Sequence, residues 1–314
     1  MVSRRPNQVS GDGSRNGVQS CLSTSLLTSY SQGMQFGVAM FPTDYTIGPG
    51  ELACAVEERA FDILMFPEHS HTPVSRETQY PDNDGPLPKE YSHVLDPFVA
   101  LAAAAVVTER ILLGTGICLV IQRDPIVLAK EVATLDLVSN GRFLFGVGGG
   151  WNREEMGDHG TLYETRWRLL RERIEAMKAL WSEEEASYHG HFVRFKRAQQ
   201  WPKPVQQPHP PILVAGDGAG TLRRVVRYGD AWLPPFNCDP SRFRMRFAEL
   251  QGLAVDAGRG RIPATIFGCG ADEAVVAAYI EAGADGVVFW MPPSNTDEAL
   301  AHLDDYARIR SSFN

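Results

Sequence analysis

The chain has 314 residues, 44% of them hydrophobic, with 30 Lys and Arg against 38 Asp and Glu for a formal net charge of −8. That apolar content fills a full-sized core and excludes wholesale disorder, while a pI near 5.5 argues against a general nucleic-acid binder, which needs a basic face. The five cysteines, Cys21, Cys54, Cys118, Cys238 and Cys269, are far apart with no C-x-x-C pair, so neither a disulfide framework nor a structural zinc is expected.

Residues 1–33 are rich in Ser, Gly, Asn and Gln without sustained periodicity. They are expected to be a disordered extension, with Met34 a plausible alternative start and residues 34–314 forming one domain. From Met34 a grammar repeats: a short apolar run, a polar or Gly-rich break, then a helical stretch. The runs are Gln35–Phe41, Phe61–Phe66, Ile111–Ile121, Arg142–Val147, Pro211–Ala215, Ala231–Pro234, Ile262–Cys269 and Asp285–Trp290. Between them lie helical candidates at Gly50–Arg59, Pro97–Thr108, Pro125–Leu137, Thr165–Trp181, Thr221–Tyr228, Pro240–Ala257, Asp272–Ala282 and Asp297–Ile309. In the fourth, Trp167, Leu170, Ile174, Met177 and Trp181 form one apolar stripe. Asp-Pro pairs open three of them, at 96–97, 124–125 and 239–240, combining a side-chain cap with proline at the first turn. Others stop at Gly141, Gly229 and Gly283.

Eight strands alternating with eight helices predict an α/β fold, the (β/α)8 TIM barrel, over a doubly wound sheet. Two segments exceed ordinary loop length: 67–95 after the second strand, and 182–210 before the fifth. The first is a candidate lid. The second is expected to hold a hairpin, with Tyr188 and Phe192–Phe195 around a His189-Gly190-His191 turn. The longest apolar run, residues 98–107, is too short to span a bilayer, and no secretory leader opens the chain. A cytoplasmic protein acting on a small-molecule substrate, without membrane or nucleic-acid partners, is the expectation.

Chemistry in such barrels happens at the C-terminal ends of the strands. The second run ends Pro67-Glu68-His69-Ser70-His71, a carboxylate beside two imidazoles, which suits proton handling, cofactor contact or a metal. Zinc barrels of the amidohydrolase type also begin with H-x-H. They need further histidines after strands five and six and an aspartate after strand eight, where this chain has Ala215-Gly216-Asp217, Pro234-Pro235-Phe236 and Trp290-Met291-Pro292; no metal is expected. The third run carries Gly116-Ile117, followed by Gln122-Arg123-Asp124-Pro125. The fourth ends Gly148-Gly149-Gly150-Trp151-Asn152, either a tight turn with a packed tryptophan or exposed N–H groups beside an aromatic and an amide, suited to a flat heteroaromatic ring. Gly216-Asp217-Gly218-Ala219-Gly220-Thr221 opens a helix after the fifth run and makes a candidate phosphate nest. There Asp217 would cap the helix or bind a hydroxyl of the ligand. Gly268-Cys269-Gly270-Ala271-Asp272 after the seventh run is the rival nest. The arginines at 166, 168, 171 and 173 look like a solvated helix face, or a receiver for an anionic tail.

Taken in order, Pro67-Glu68-His69, Gln122-Arg123-Asp124-Pro125, the Gly146–Asn152 run, and the stretch from Tyr188-His189-Gly190 through Pro202-Lys203-Pro204 to Pro208–Ile212 resemble the luciferase-like monooxygenase superfamily of flavin and deazaflavin barrels. The resemblance covers about residues 34–310, and Pro67-Glu68-His69-Ser70-His71 is similar to its F420-dependent oxidoreductase branch. It implies coenzyme F420, or alternatively FMN, over the barrel mouth. His69 would be the proton donor or acceptor, and Glu68 would bond the ring edge or orient the histidine. The Gly116–Ile117 link would be a non-prolyl cis peptide behind the ring. Gly148, Gly149, Gly150, Trp151 and Asn152 would contact ring and side chain. Gly216, Asp217, Gly218, Ala219, Gly220 and Thr221 would hold the phosphate, although no lysine stands by to clamp it. Related barrels commonly form homodimers. An FMN-dependent monooxygenase and a non-catalytic flavin-storage barrel remain the alternatives to F420-linked hydride transfer.

Overall fold

The structure, a computed structural model, describes residues 33–80 and 85–313; the expectation for residues 1–32 lies outside them. In chain order the strands are β1 (Gln35–Ala39), β2 (Ile63–Phe66), β3 (Leu112–Thr115), β4 (Phe143–Val147), a hairpin of β5 (Ala186–His189) and β6 (Arg194–Ala198), then β7 (Ile212–Ala215), β8 (Ala231–Leu233), β9 (Thr265–Cys269) and β10 (Gly286–Trp290). All but the hairpin belong to one parallel sheet in the order β8-β7-β4-β3-β2-β1-β10-β9. Bridges from Trp232 to Ala264 and from Pro235 to Phe267 bring β8 against β9 and close the ring. The (β/α)8 barrel expected from the alternating runs is therefore the fold.

Every barrel strand is apolar along its length because both faces are covered, one by the barrel interior and one by helices. Inside, Ile63, Met65, Leu144, Leu213, Leu233 and Val288 form a compact inner core. Outside, the larger core lies under α1 (Pro49–Glu58), α2 (Glu90–His93), α3 (Pro97–Ala105), α4 (Pro125–Val138), α5 (Arg153–Asp158), α6 (Arg166–Ser182), α7 (Thr221–Tyr228), α8 (Pro240–Asp256), α9 (Glu273–Glu281) and α10 (Thr296–Ser311). The α6 stripe delivers Leu170, Ile174, Met177 and Trp181 to that core, with the Trp181 indole N–H donating to the Ala129 carbonyl at 2.9 Å.

The three Asp-Pro starts behave as the sequence predicts. Asp96, Asp124 and Asp239 each accept two backbone N–H groups of the first turn of α3, α4 and α8. Chain reversal after α4 uses Asn140 and Gly141 in the left-handed region, and after α9 it uses Gly283. Gly229 is different: its φ is −92°, and a Cβ there would stand 2.6 Å from Val214 Cγ2, so glycine serves close packing rather than handedness. The third strand also departs from expectation. It stops at Thr115 rather than running to Ile121, and a 3-10 turn follows at Val120–Gln122. Two short helices went unforeseen, α2 within the 67–95 segment and α5 after the fourth strand. Among the described residues no helix is long and apolar enough to cross a membrane.

Gly146 marks the tightest approach in the barrel wall. An added Cβ would lie 2.0 Å from the Thr115 carbonyl oxygen, and that oxygen is backbone, so relief requires moving a strand. By contrast, Gly252 in the exposed interior of α8 has nothing within 4 Å. Gly146→Ala should cost more than about 3 kcal/mol, whereas Gly252→Ala should gain about 0.5–1 kcal/mol by reducing unfolded-chain entropy. Denaturant unfolding of the two variants checks both signs.

Candidate functional site

Proline at 67 ends β2 by withholding a ladder N–H, and the chain turns so that Glu68 and His69 sit over the barrel mouth. Glu68 is 6% exposed. Its two oxygens accept from the Leu119 backbone N–H and from Arg123 Nε, both at 2.6 Å. Arg123 continues to Glu131 at 3.2 Å and to Asp96, and its guanidinium lies 4.8 Å over the Phe98 ring. Burial alone would weaken the guanidinium's hold on its proton, but the Glu68 and Asp96 carboxylates more than reverse this and hold Arg123 above its usual pKa. Burial, reinforced by Glu68, drives Cys118 far above the ordinary thiol range, so it stays neutral.

Glu68 therefore does not orient the histidine. That role belongs to Glu155, on α5 and 1% exposed. Its Oε2 lies 2.8 Å from His69 Nδ1 while its Oε1 accepts the Ser70 backbone N–H at 3.0 Å. With a carboxylate on Nδ1, the neutral ring carries its proton there and keeps Nε2 free to accept one. The sequence does carry a signal for Glu155: Asn152 followed three residues later by Glu is an N-terminal capping pattern, which implies a helix at a strand end. Indeed Asn152 Oδ1 accepts the Glu155 N–H at 3.2 Å. Its side chain is thus spent as a cap and buried, and it is not part of the cavity wall.

The cavity beside His69 has a volume of about 320 Å³. Its floor is Ile117, and the Gly116–Ile117 peptide is cis. Its lining includes main chain at Gly148, Gly149, Gly150 and Gly216, together with Trp151 and Trp167. A Cβ on Gly116 would lie 2.5 Å from the Phe267 ring, on Gly148 2.8 Å from Ile117, and on Gly149 2.6 Å from Trp167. Phe41, Tyr91, Phe267 and Trp290 add further aromatic lining, with Tyr91 edge-on to Trp151 at 6.3 Å. The His69 ring is 4.8 Å from Tyr91 and 6.0 Å from Trp151. A second cavity, also of about 320 Å³, lies beyond Glu68 and His69 and is polar, lined by Ser70, Asp96, Gln122, Arg123 and His159. His71 is outside the lining of both cavities, with Nε2 2.9 Å from Asp158.

Of the candidate phosphate nest, Gly216 reaches the cavity while Gly218, Ala219, Gly220 and Thr221 lie outside its lining, in the turn into α7. Asp217 differs from the expectation of a helix cap. It does not cap α7, whose N-cap is Gly220 with no side-chain acceptor; it is ion-paired with Arg242 and, at 3.1 Å, with Arg246 of α8, because two guanidiniums outbid one backbone N–H. The cations of this corner were only partly foreseen. Arg224 donates to Thr221 Oγ1 at 3.0 Å and lies 3.8 Å over Trp167, and Arg166 lies 4.7 Å over the same ring. Neither has a carboxylate within ion-pair distance among the described residues, and the Nε of each is buried without a partner. Burial, with the neighbouring Arg166, holds Arg224 below its usual pKa. Of the other arginines of α6, only Arg168 is exposed; Arg171 pairs with Glu175 and Arg173 donates to the Val120 carbonyl at 2.7 Å. His189 and His191 are exposed on the hairpin. Among the described residues no group of three or more His, Cys, Asp or Glu is placed to hold a metal ion.

Beside Glu155, Glu154 ties down the 67–95 segment, accepting the backbone N–H groups of Glu77 and Thr78 at 2.9 and 3.0 Å. Burial opposes ionisation, but the hydrogen bonds from the Thr78 side chain and from the backbone of Glu77, Glu154 and Thr78 together outweigh it and lower its pKa to about 2 from an ordinary 4.5. The tie is complete above pH 4.5 and is lost as the pH falls toward 2. Glu154→Gln should speed hydrogen exchange at amides 77 and 78 several-fold at pH 7, with the barrel strands unchanged; equal protection in the variant refutes the tie.

With this geometry in place, comparison with known proteins is informative. Residues 48–311 match the luciferase-like monooxygenase family. An uncharacterized protein of Mycobacterium tuberculosis is 40% identical over 282 residues, covering 87% of this chain and 98% of its own length. The F420-dependent hydroxymycolic acid dehydrogenase of the same organism is 29% identical over 196 residues, 62% of this chain and 49% of that protein. The FMNH2-dependent dimethylsulfone monooxygenase of Pseudomonas putida is 34% identical over 110 residues, 34% of this chain and 30% of that one. Since the family match spans nearly the whole barrel and the first relative is matched end to end, the chain belongs to the luciferase-like monooxygenase family.

Proposed function

We propose that the protein is a hydride-transfer oxidoreductase that uses the deazaflavin F420, with His69 handling the proton. The observation that carries this reading is the Glu155–His69 pair beside a cavity lined by glycine main chain and aromatic rings. The residues present fit such a cofactor. Glycines 148, 149, 150 and 216 give a flat ring the close backbone approach that side chains would block. The Arg166–Arg224 pair, with two orphaned buried N–H groups, suits an anionic tail at the start of α7. When bound, a deazaflavin supplies a two-electron ring that gives or takes hydride. The chain's own work is to hold His69 in one tautomer through Glu155, to exclude water with the aromatic lining and the Glu154-tied segment, and to move the accompanying proton at His69 Nε2.

An FMN-dependent monooxygenase is the second reading, supported by the FMNH2-dependent relative and by the segment tied over the mouth. Titrating the purified chain in parallel with F420 and FMN decides between them; micromolar FMN binding without an F420 response overturns the first reading. His69→Ala should abolish turnover while leaving F420 affinity within about tenfold, or ~1.4 kcal/mol. Arg224→Ala should weaken F420 binding about tenfold, and unaltered binding removes the arginine pair from the site. Persistent F420 binding with no turnover against a broad substrate panel supports the storage reading instead.

The same reading includes a homodimer. Val99 and Val106 at α3 and Val127, Leu137 and Val138 of α4 are exposed apolar side chains on neighbouring helices, an arrangement that favours burial against a second copy. Light scattering should give twice the chain mass, and Val99→Glu with Val127→Glu should give a folded monomer; a monomeric wild type refutes it.

A further inference from the structure

We propose that Ser70, His71 and Asp158 form a second catalytic site, a Ser-His-Asp arrangement that hydrolyses short, uncharged carboxylic esters in the polar cavity beyond His69. Ser70 Oγ lies 2.9 Å from His71 Nδ1, and His71 Nε2 lies 2.9 Å from Asp158 Oδ2. The geometry is that of an activated serine: the nucleophile is bonded to a base and the base to an orienting carboxylate. The three meet because α5 grips the turn that follows β2. Glu155 holds the His69 ring and the Ser70 N–H, and Asp158, three residues on and so on the same face of the helix, meets His71.

The partners also fix where the protons lie. A carboxylate only accepts, so neutral His71 carries its proton on Nε2 for Asp158 and presents Nδ1 as an acceptor. The one hydroxyl proton of Ser70 goes to that Nδ1. His159 Nε2, 2.7 Å from the same Oγ, then donates to it, while Gln122 Oε1 is more distant at 3.4 Å. Ser70, Gln122 and His159 line the cavity of about 320 Å³, at the lower end for a ligand pocket, so the acyl group is short. The charged lining is Glu68, Asp96 and Arg123, and the arginine bonds both acids. Two carboxylates against one guanidinium disfavour an anionic acyl group.

In the reaction Ser70 Oγ bonds to the ester carbonyl carbon and its proton passes to His71 Nδ1. The C–O bond to the alcohol then breaks, and the alcohol departs with that proton. A water molecule next gives its hydroxyl to the acyl carbon and its proton to His71; the acid leaves and Ser70 Oγ regains the proton. No electrons are exchanged with a carrier. The donor beside Oγ for the carbonyl oxygen, where negative charge develops, is His159 Nε2–H. Since no cofactor takes part, failure of this site leaves the F420 reading untouched.

The test is hydrolysis of p-nitrophenyl acetate by the full chain without cofactor. So activated an ester acylates faster than it deacylates, so acid-quenched protein should carry one acetyl group, located on Ser70 by peptide mass mapping. Ser70→Ala and His71→Phe should each lower turnover by at least about tenfold. Asp158 is 64% exposed and screened by water, so Asp158→Asn should cost only about threefold. Ser70→Ala keeps the backbone N–H that Glu155 holds, and His69 stays braced. The anionic p-nitrophenyl hemisuccinate should turn over at least about fivefold more slowly than the acetate; an equal rate overturns the assignment of an uncharged substrate. Turnover unmoved by Ser70→Ala overturns the site, as does an acetyl group absent from Ser70 or carried by another residue. The mapping uses the unaltered chain, so it decides the matter even where a variant fails to fold.

Discussion

A half-buried guanidinium, Arg123, sets the position of much of what matters in this barrel. It meets Glu68 from the end of β2, Asp96 from the start of α3 and Glu131 from α4, and it stacks on Phe98. A charge withdrawn from water in this way persists only when its donors are matched by acceptors, and here three carboxylates supply them. The consequence is geometric. Glu68, pinned on one oxygen by Arg123, uses the other to hold the Leu119 N–H, so the end of the second strand and the turn after the third are fixed relative to one another. His69, the next residue, inherits that fixed position.

The site divides its labour between two acids that stand two strand-ends apart in sequence. Glu68 is structural, spent on backbone and arginine. Glu155 acts on the imidazole and fixes its tautomer. Catalytic groups must be held to a fraction of an ångström to contribute their full effect. Both acids are buried, and Glu155 has a second bond to the Ser70 N–H, so the imidazole is braced through its partner and through its own backbone. The neighbouring Glu154 faces the other way and holds the overlying segment. One short helix therefore braces both His69 and the segment above it.

The fold was legible in the sequence to a high degree. All eight barrel strands lie within the apolar runs, and the longer helices begin and end within a few residues of their predicted limits, because strand burial and Asp-Pro capping are local properties that a short window records. Where the reading ran over, as in the third strand, apolar residues continued past Thr115 into a turn that is also buried, and hydrophobicity does not tell a strand from a buried turn.

For the site, sequence alone marked His69, the glycine runs and the Gly116–Ile117 link, since these stand at strand ends that the barrel brings together. It did not find Glu155, Arg224 or the ring wall of Phe41, Tyr91, Phe267 and Trp290. Those residues come from separate turns of the barrel and carry no shared motif. Nor did it show that Asp217 is drawn to Arg242 and Arg246 rather than to the helix it precedes. A residue's type and its neighbours in the chain determine what it is able to do. Which partner satisfies its charge or its hydrogen bond is settled by distances across the barrel, and only the closed ring of strands sets those.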